Sequence, residues 1–124
     1  MLGSLPLEEM PELYAHADCM LFSLKKEYIY SITIPDKVQS CLACAKPIVA
    51  MIDGITSQLV RDARAGLACD SEDADQLAAN VLLMSKMNTD EINQMGLNSY
   101  NLYSDQFNRE KLLNQLEQLF YKLI

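Results

Sequence analysis

Pro35-Asp36-Lys37-Val38-Gln39-Ser40-Cys41-Leu42-Ala43-Cys44-Ala45-Lys46-Pro47-Ile48-Val49-Ala50 is the stretch on which the reading of the fold turns. The ring of Pro35 presets φ for a first helical turn, and Thr33 stands three residues before Asp36, so a helix opens here with a start like a capping box. Val38, Cys41, Leu42 and Ala45 recur at i, i+3, i+4 and i+7 and form its apolar face; Lys37, Ser40 and Cys44 are left on another side. One face packs and another is free for a ligand. Pro47 stops the helix, and Ile48 to Met51 form a short apolar run with the character of a buried parallel strand.

Upstream, Met1 to Leu5 reads as a strand stub with a turn at Gly3-Ser4. A helix starts at about Leu7 or Pro11 and runs to Ala17 with Leu13, Tyr14 and Ala17 on one side. Cys19 to Phe22 is a continuous apolar run, as expected of a strand covered by helices on both faces. Ser23 to Thr33 is a polar connection, long enough for a compact domain to make it a ligand-facing candidate. Downstream, Asp53-Gly54 is a turn, and Thr56 or Ser57 caps a helix carrying Ile55, Leu59, Val60 and Ala63 that Gly66 ends. Leu67 to Cys69 is a third strand, and Asp70 to Asp73 an acidic cap for a helix with Ala74, Leu77, Ala78, Val81 and Leu82 at helical spacing. Strand alternating with helix implies right-handed βαβ units and therefore an α/β fold with a parallel sheet.

The last third reads as all helix. Thr89 caps one segment to about Tyr100, and Asn108 opens another whose Leu112, Leu113, Leu116, Leu119, Phe120 and Leu123 make an apolar stripe, expected to dock on the same domain. Three strands and a stub make a small sheet with open edges, so an incomplete sheet is expected, finished by an upstream segment or by self-association. Residues 1–124 are read as one domain.

The chain has 124 residues, 50% of them hydrophobic, enough for a single core. A net charge of −7 argues against nucleic acid as a partner, because phosphate neutralisation needs clustered Lys and Arg. No run approaches the length of a bilayer span and no basic-then-apolar leader opens the chain, so a soluble, cytoplasmic protein is expected. Cys41 and Cys44 form a Cys-x-x-Cys pair, but it stands in the middle and at the end of its helix rather than at the N-terminus that activates such thiols. Cys19, Cys69 and His16 do not supply further ligands at zinc spacing, and no metal site is assigned. The four cysteines are read as small packed hydrophobes, and His16 as a helix-end residue.

In order along the chain, Pro6 to Tyr14, Ala17-Asp18, Ile34-Pro35-Asp36-Lys37, Leu42 to Ala50, Asp53-Gly54, Ala65-Gly66-Leu67 and Phe107-Asn108-Arg109 resemble the C-terminal domain of family 4 glycosyltransferases. The central motif is similar to Pro-x-Lys-Val-x-x-Tyr-Leu-Ala-x-Gly-Lys-Pro, found in bacterial enzymes that build O-antigen and capsule. The resemblance implies a Rossmann-like half of a two-domain GT-B fold that binds a nucleotide-sugar donor, commonly a UDP-sugar. An N-terminal domain, absent here, binds a glycan or lipid-linked acceptor and accounts for any peripheral association with the inner face of the cell membrane. It further implies a retaining, metal-independent transferase with no cofactor, of which this chain alone is inactive.

On that reading Ser31, Ile32, Thr33, Lys37, Val38 and Ser40 bind the donor, because a helix N-terminus after a polar loop presents unpaired amides and partial positive charge to a diphosphate. Asp53, Gly54, Ile55 and Thr56 follow the next strand and stand on the sugar side, at the carboxyl edge where open α/β sheets bind ligands. Two glutamates common in the family would fall near Ile32 and at Ser40 and are missing, and Ala45 replaces a glycine. The family's phosphate-gripping Arg and Lys belong to strands upstream of Met1, so no catalytic residue is assigned. The alternative is a noncatalytic α/β regulatory or interaction domain. A receiver would need an acidic pair before Asp53, and a dinucleotide module a Gly-x-Gly-x-x-Gly after a strand; neither is present.

Overall fold

The structure, a computed structural model, describes residues 6–124; the strand stub and turn expected within Met1 to Leu5 lie outside them. A 3-10 turn, Leu7–Glu9, leads into helix α1, Met10–Ala15, with Pro11 in its first turn and His16 as its C-cap. Strand β1, Met20–Ser23, follows, then helix α2, Tyr28–Ile32, and helix α3, Asp36–Ala43. Strand β2, Ile48–Met51, helix α4, Ile55–Asp62, and strand β3, Gly66–Cys69, complete the α/β part. Helices α5, Ala74–Ser85, and α6, Thr89–Leu102, a π-helical turn, Tyr103–Phe107, and helix α7, Arg109–Leu123, make up the rest.

The three strands are parallel in the order β1-β2-β3, with Met20 opposite Ile48 and Ile48 opposite Gly66. On one face Phe22, Ile48, Ala50 and Ile52 meet Val38, Cys41 and Leu42 of α3, Val60 of α4 and Leu102 of α6 in a single core. On the other face α5 covers β2 and β3, where Val49 is fully buried. The expectation that β1 is covered on both faces is corrected: Leu21, the register partner of Val49, is 62% exposed, since α5 packs chiefly on β2 and β3. Among the described residues the sheet is open along β1.

Other expectations change at the helix ends. The polar connection from Ser23 to Thr33 is not a loop throughout, since α2 forms within it. Thr33 does not cap α3: its hydroxyl turns back to the Ile29 carbonyl at 2.8 Å, and Pro35 is the N-cap without a side-chain hydrogen bond. Thr56 and Ser57 lie inside α4, whose N-cap is Gly54. That helix ends at Asp62, before Arg64 with φ 54, and Gly66 starts β3 instead of ending the helix. Asn88, not Thr89, caps α6 by accepting from Glu91 N–H at 2.8 Å. Asp73 and Asn108 cap α5 and α7 through their side-chain oxygens.

The apolar stripe of α7 and the Val81-Leu82 part of that of α5 are turned outward. Val81 and Leu82 of α5 are exposed, while Asn80 and Met84 are the residues it buries. Helix α7 buries none of its residues and rests chiefly on the π-helical turn, so its stripe does not dock on the domain as expected.

Candidate functional site

The carboxyl ends of the three strands deliver three connections to one rim, and backbone proximity ties them together. After β2, Gly54 has φ 79 and ψ −135, a conformation that other residues rarely adopt. A Cβ there would overlap the Ser31 carbonyl, so α2 lies directly against the turn. Two residues on, Thr56 is fully buried and its hydroxyl donates to the Thr33 carbonyl at 3.2 Å. Asp53 faces the other way: its carboxylate accepts from Ser71 N–H at 3.0 Å, and its own N–H donates to Ser71 Oγ at 3.2 Å. The segment before α3, the turn after β2 and the loop after β3 are thus joined in series.

That series sets the mouth of α3. No side chain caps it, and Val38 N–H is turned onto the Pro35 carbonyl at 3.0 Å, which leaves the amides of Asp36 and Lys37 as the uncapped ones at the positive end of the dipole. A depression of about 380 Å³ opens here, walled by Phe22, Leu24, Tyr30, Thr33 and Pro35 and rimmed by Asp36 and Lys37. It has an apolar wall with two aromatic rings, one ammonium group, one carboxylate and a helix N-terminus. Such a combination suits an amphipathic anion, with a flat apolar part against Tyr30 and Phe22 and its charge at the α3 mouth.

The structure therefore brings Thr33 and Lys37 into one depression. Ser31 and Ile32 stand in α2, one turn of backbone away, and the Ser31 hydroxyl is engaged with the Tyr28 carbonyl at 2.6 Å. Val38 is turned into the core at 1% exposure, and the Ser40 hydroxyl points along its own helix to the Asp36 carbonyl at 3.4 Å. Of the sugar-side set, Asp53, Gly54 and Thr56 are occupied in joining the connections, and Ile55 is exposed. Sequence reasoning missed Phe22, Leu24 and Ser71. The first two looked like ordinary strand and post-strand apolar residues, and nothing in the letters pairs Ser71 with Asp53 across 18 positions.

Burial raises all four thiol pKa values, so each is held as neutral thiol. Cys41 sits in the core beneath α3, where burial outweighs the opposing charge of Lys37. Among the described residues no group of three or more His, Cys, Asp or Glu is placed to hold a metal ion. No helix among them is long and apolar enough to cross a membrane.

A larger depression of about 500 Å³ lies at the opposite, amino end of the strands, around Cys19, Lys46 and Pro47. It is remote from the α3 mouth, and no loop at a strand's carboxyl end reaches it.

A family model described as Glycosyl transferases group 1 matches residues 1–86. No curated protein matches the chain, and no solved structure does.

Proposed function

The chain belongs to the group 1 glycosyl transferases, whose family model spans more than half of it, and from that premise we propose that it is the donor-binding part of a retaining sugar transferase. The donor is a nucleotide-sugar, a UDP-sugar first, and the acceptor a glycan or lipid-linked glycan of a bacterial surface polysaccharide. The depression at the α3 mouth carries the reading. Its apolar wall with Tyr30 receives the base, and the amides of Asp36 and Lys37 with the Lys37 ammonium meet the diphosphate. Asp36 on the same rim serves as an acceptor for hydroxyl groups.

The chemistry asked of this part is electrostatic. As the bond from the sugar C1 to the diphosphate oxygen breaks and a bond from C1 to an acceptor hydroxyl oxygen forms, negative charge gathers on the departing diphosphate. Donors fixed in place stabilise that charge more than they stabilise the ground state. The acceptor and the group that takes its proton belong to a second domain facing this rim, which is why turnover by this chain alone is not expected.

Titration of the chain with UDP, followed through the backbone amides of residues 31–40, tests the reading. Saturable shifts centred on Asp36 and Lys37, weakened about tenfold in Lys37→Ala, are expected from loss of one charge-assisted contact. Absence of shifts at millimolar UDP would overturn it.

A further inference from the structure

Away from the carboxyl rim, β3 is the edge strand opposite β1 among the described residues, and a cleft of about 330 Å³ runs beside it. Arg61, Arg64 and Asn80 line the cleft together with Met95 and the β3 residues Gly66 to Ala68, and no carboxylate is among its lining groups. In a chain of net charge −7 with three arginines, two of the three meet at this one place.

Hydrogen bonds tie each of these residues to its surroundings. Arg61 stands in the last turn of α4 and donates from a guanidinium nitrogen to the Ala68 carbonyl at 3.1 Å, which fixes the plane of the group across the strand edge. Arg64 follows the helix with φ 54, and its carbonyl accepts from the Asn98 side-chain amide at 3.0 Å. Asn80 comes from α5 and is 6% exposed. Its carbonyl oxygen accepts from the Gln76 amide at 3.0 Å, while its own Nδ2 is buried without a partner. A buried donor left unsatisfied costs about 1–3 kcal/mol, and this one belongs to a residue that shares the cleft wall with Arg61 and Arg64, so an acceptor brought to that wall would gain a partner.

We propose that this cleft binds a compact oxyanion, a phosphate or carboxylate group, between Arg61, Arg64 and Asn80. Guanidinium groups match the geometry of such anions, since two parallel N–H groups can meet two oxygens. Asp62 and Asp70 share a separate depression with Arg61. They moderate its charge, and Arg64 and Asn80 therefore carry the larger part of the discrimination. The site is independent of the α3 mouth and of any donor bound there.

The test is an NMR titration of the whole 124-residue chain with inorganic phosphate, chloride being exchanged to hold ionic strength constant. The expected result is saturable movement of the Arg61 and Arg64 Nε–H signals and of the Asn80 side-chain amide. Arg64→Asn, which tolerates the left-handed backbone, weakens binding about tenfold, and Asn80→Asp abolishes it by setting a carboxylate against the anion. A parallel titration with acetate separates the two chemistries: saturation by acetate at equal affinity marks a carboxylate site, and preference for phosphate a phosphoryl site. Linear shifts that chloride reproduces, or unchanged affinity in both variants, would overturn the proposal. Should either variant unfold, the titration of the unmodified chain still decides.

Discussion

Ala45 shows what a single Cβ costs where the backbone turns left-handed. It follows the C-cap of α3 and has φ 56, the region in which a Cβ crowds the following carbonyl. A glycine there removes that strain, at a smaller cost in unfolded-chain entropy. Ala45→Gly is therefore expected to stabilise the chain by about 1 kcal/mol, read as a higher urea midpoint at unchanged slope. The reverse logic holds at Gly54. A Cβ there would meet the Ser31 carbonyl at a φ of 79, so Gly54→Ala should destabilise the chain or expel α2, an effect in the range of about 3 kcal/mol or more for combined strain and overlap. The sequence marked both positions: the first as a departure from glycine, the second as a turn. Neither mark says which backbone stands opposite, since Ser31 meets Gly54 only once the parallel strands are in register.

Burial of the thiols carries a pH signature of its own. All four cysteines have pKa values raised above the unfolded thiol, so the folded state prefers the protonated form. The stabilisation this represents is fully present below the unfolded thiol value of about 8.5 and is lost as pH rises through it toward the folded value. The urea midpoint should hold steady to about pH 8 and then fall, and Cys41→Ala should reduce the slope of that fall. A redox pair of the kind a Cys-x-x-Cys suggests would behave oppositely, with one thiol reacting fast at neutral pH.

At the scale of elements, what the letters made legible was order and type, and what they concealed was which side faces inward. The strand-helix alternation from Cys19 to Ser85 follows from apolar runs broken by Pro47, Asp53-Gly54 and Asp70, features local to a few residues. Helix α2 was hidden because Tyr28, Ile29, Tyr30, Ser31 and Ile32 include β-branched and aromatic residues of poor helix propensity, and tertiary packing against α4 overrides that preference. The inward face of α5 was not legible for a different reason. Apolar residues occur on most sides of this helix, and of the ones at regular spacing Val81 and Leu82 face outward and Leu77 is half-buried while Asn80 and Met84 are buried, so apolar spacing alone did not pick out the side toward the sheet.

Helix α7 permits a clean test of this distinction. Its leucines are exposed, with Leu116 at 45% and Leu119 at 52%, whereas Leu42 on α3 is fully buried. Leu116→Glu with Leu119→Glu should change the stability of the isolated chain by less than about 0.5 kcal/mol, while Leu42→Ala should cost about 3 kcal/mol. If the α7 pair costs as much as Leu42→Ala, the helix is docked in solution and the expectation read from its sequence returns.

For the whole molecule, the β1 side of the sheet governs behaviour. A parallel strand is at home with a neighbour on each edge and a helix on each face, and among the described residues β1 has one of each. Among the described residues its outer edge has no strand partner, beside the exposed Leu21, and the protection the sequence supplies is modest: a strand of four residues followed by Lys25 and Lys26. The net charge of −7 opposes association at low ionic strength and does so less as salt screens it. The isolated chain is accordingly expected to self-associate through this edge, with a weight-average mass in sedimentation that rises with concentration and rises further with salt. Leu21→Lys should return it toward monomer, whereas Leu116→Glu with Leu119→Glu should leave the β1 contact in place, so the two variants identify which apolar surface is responsible. A chain that stays monomeric at every concentration and salt would mean that its short length and flanking lysines are sufficient cover, and the open edge would then be available to a domain partner without competition from a second copy.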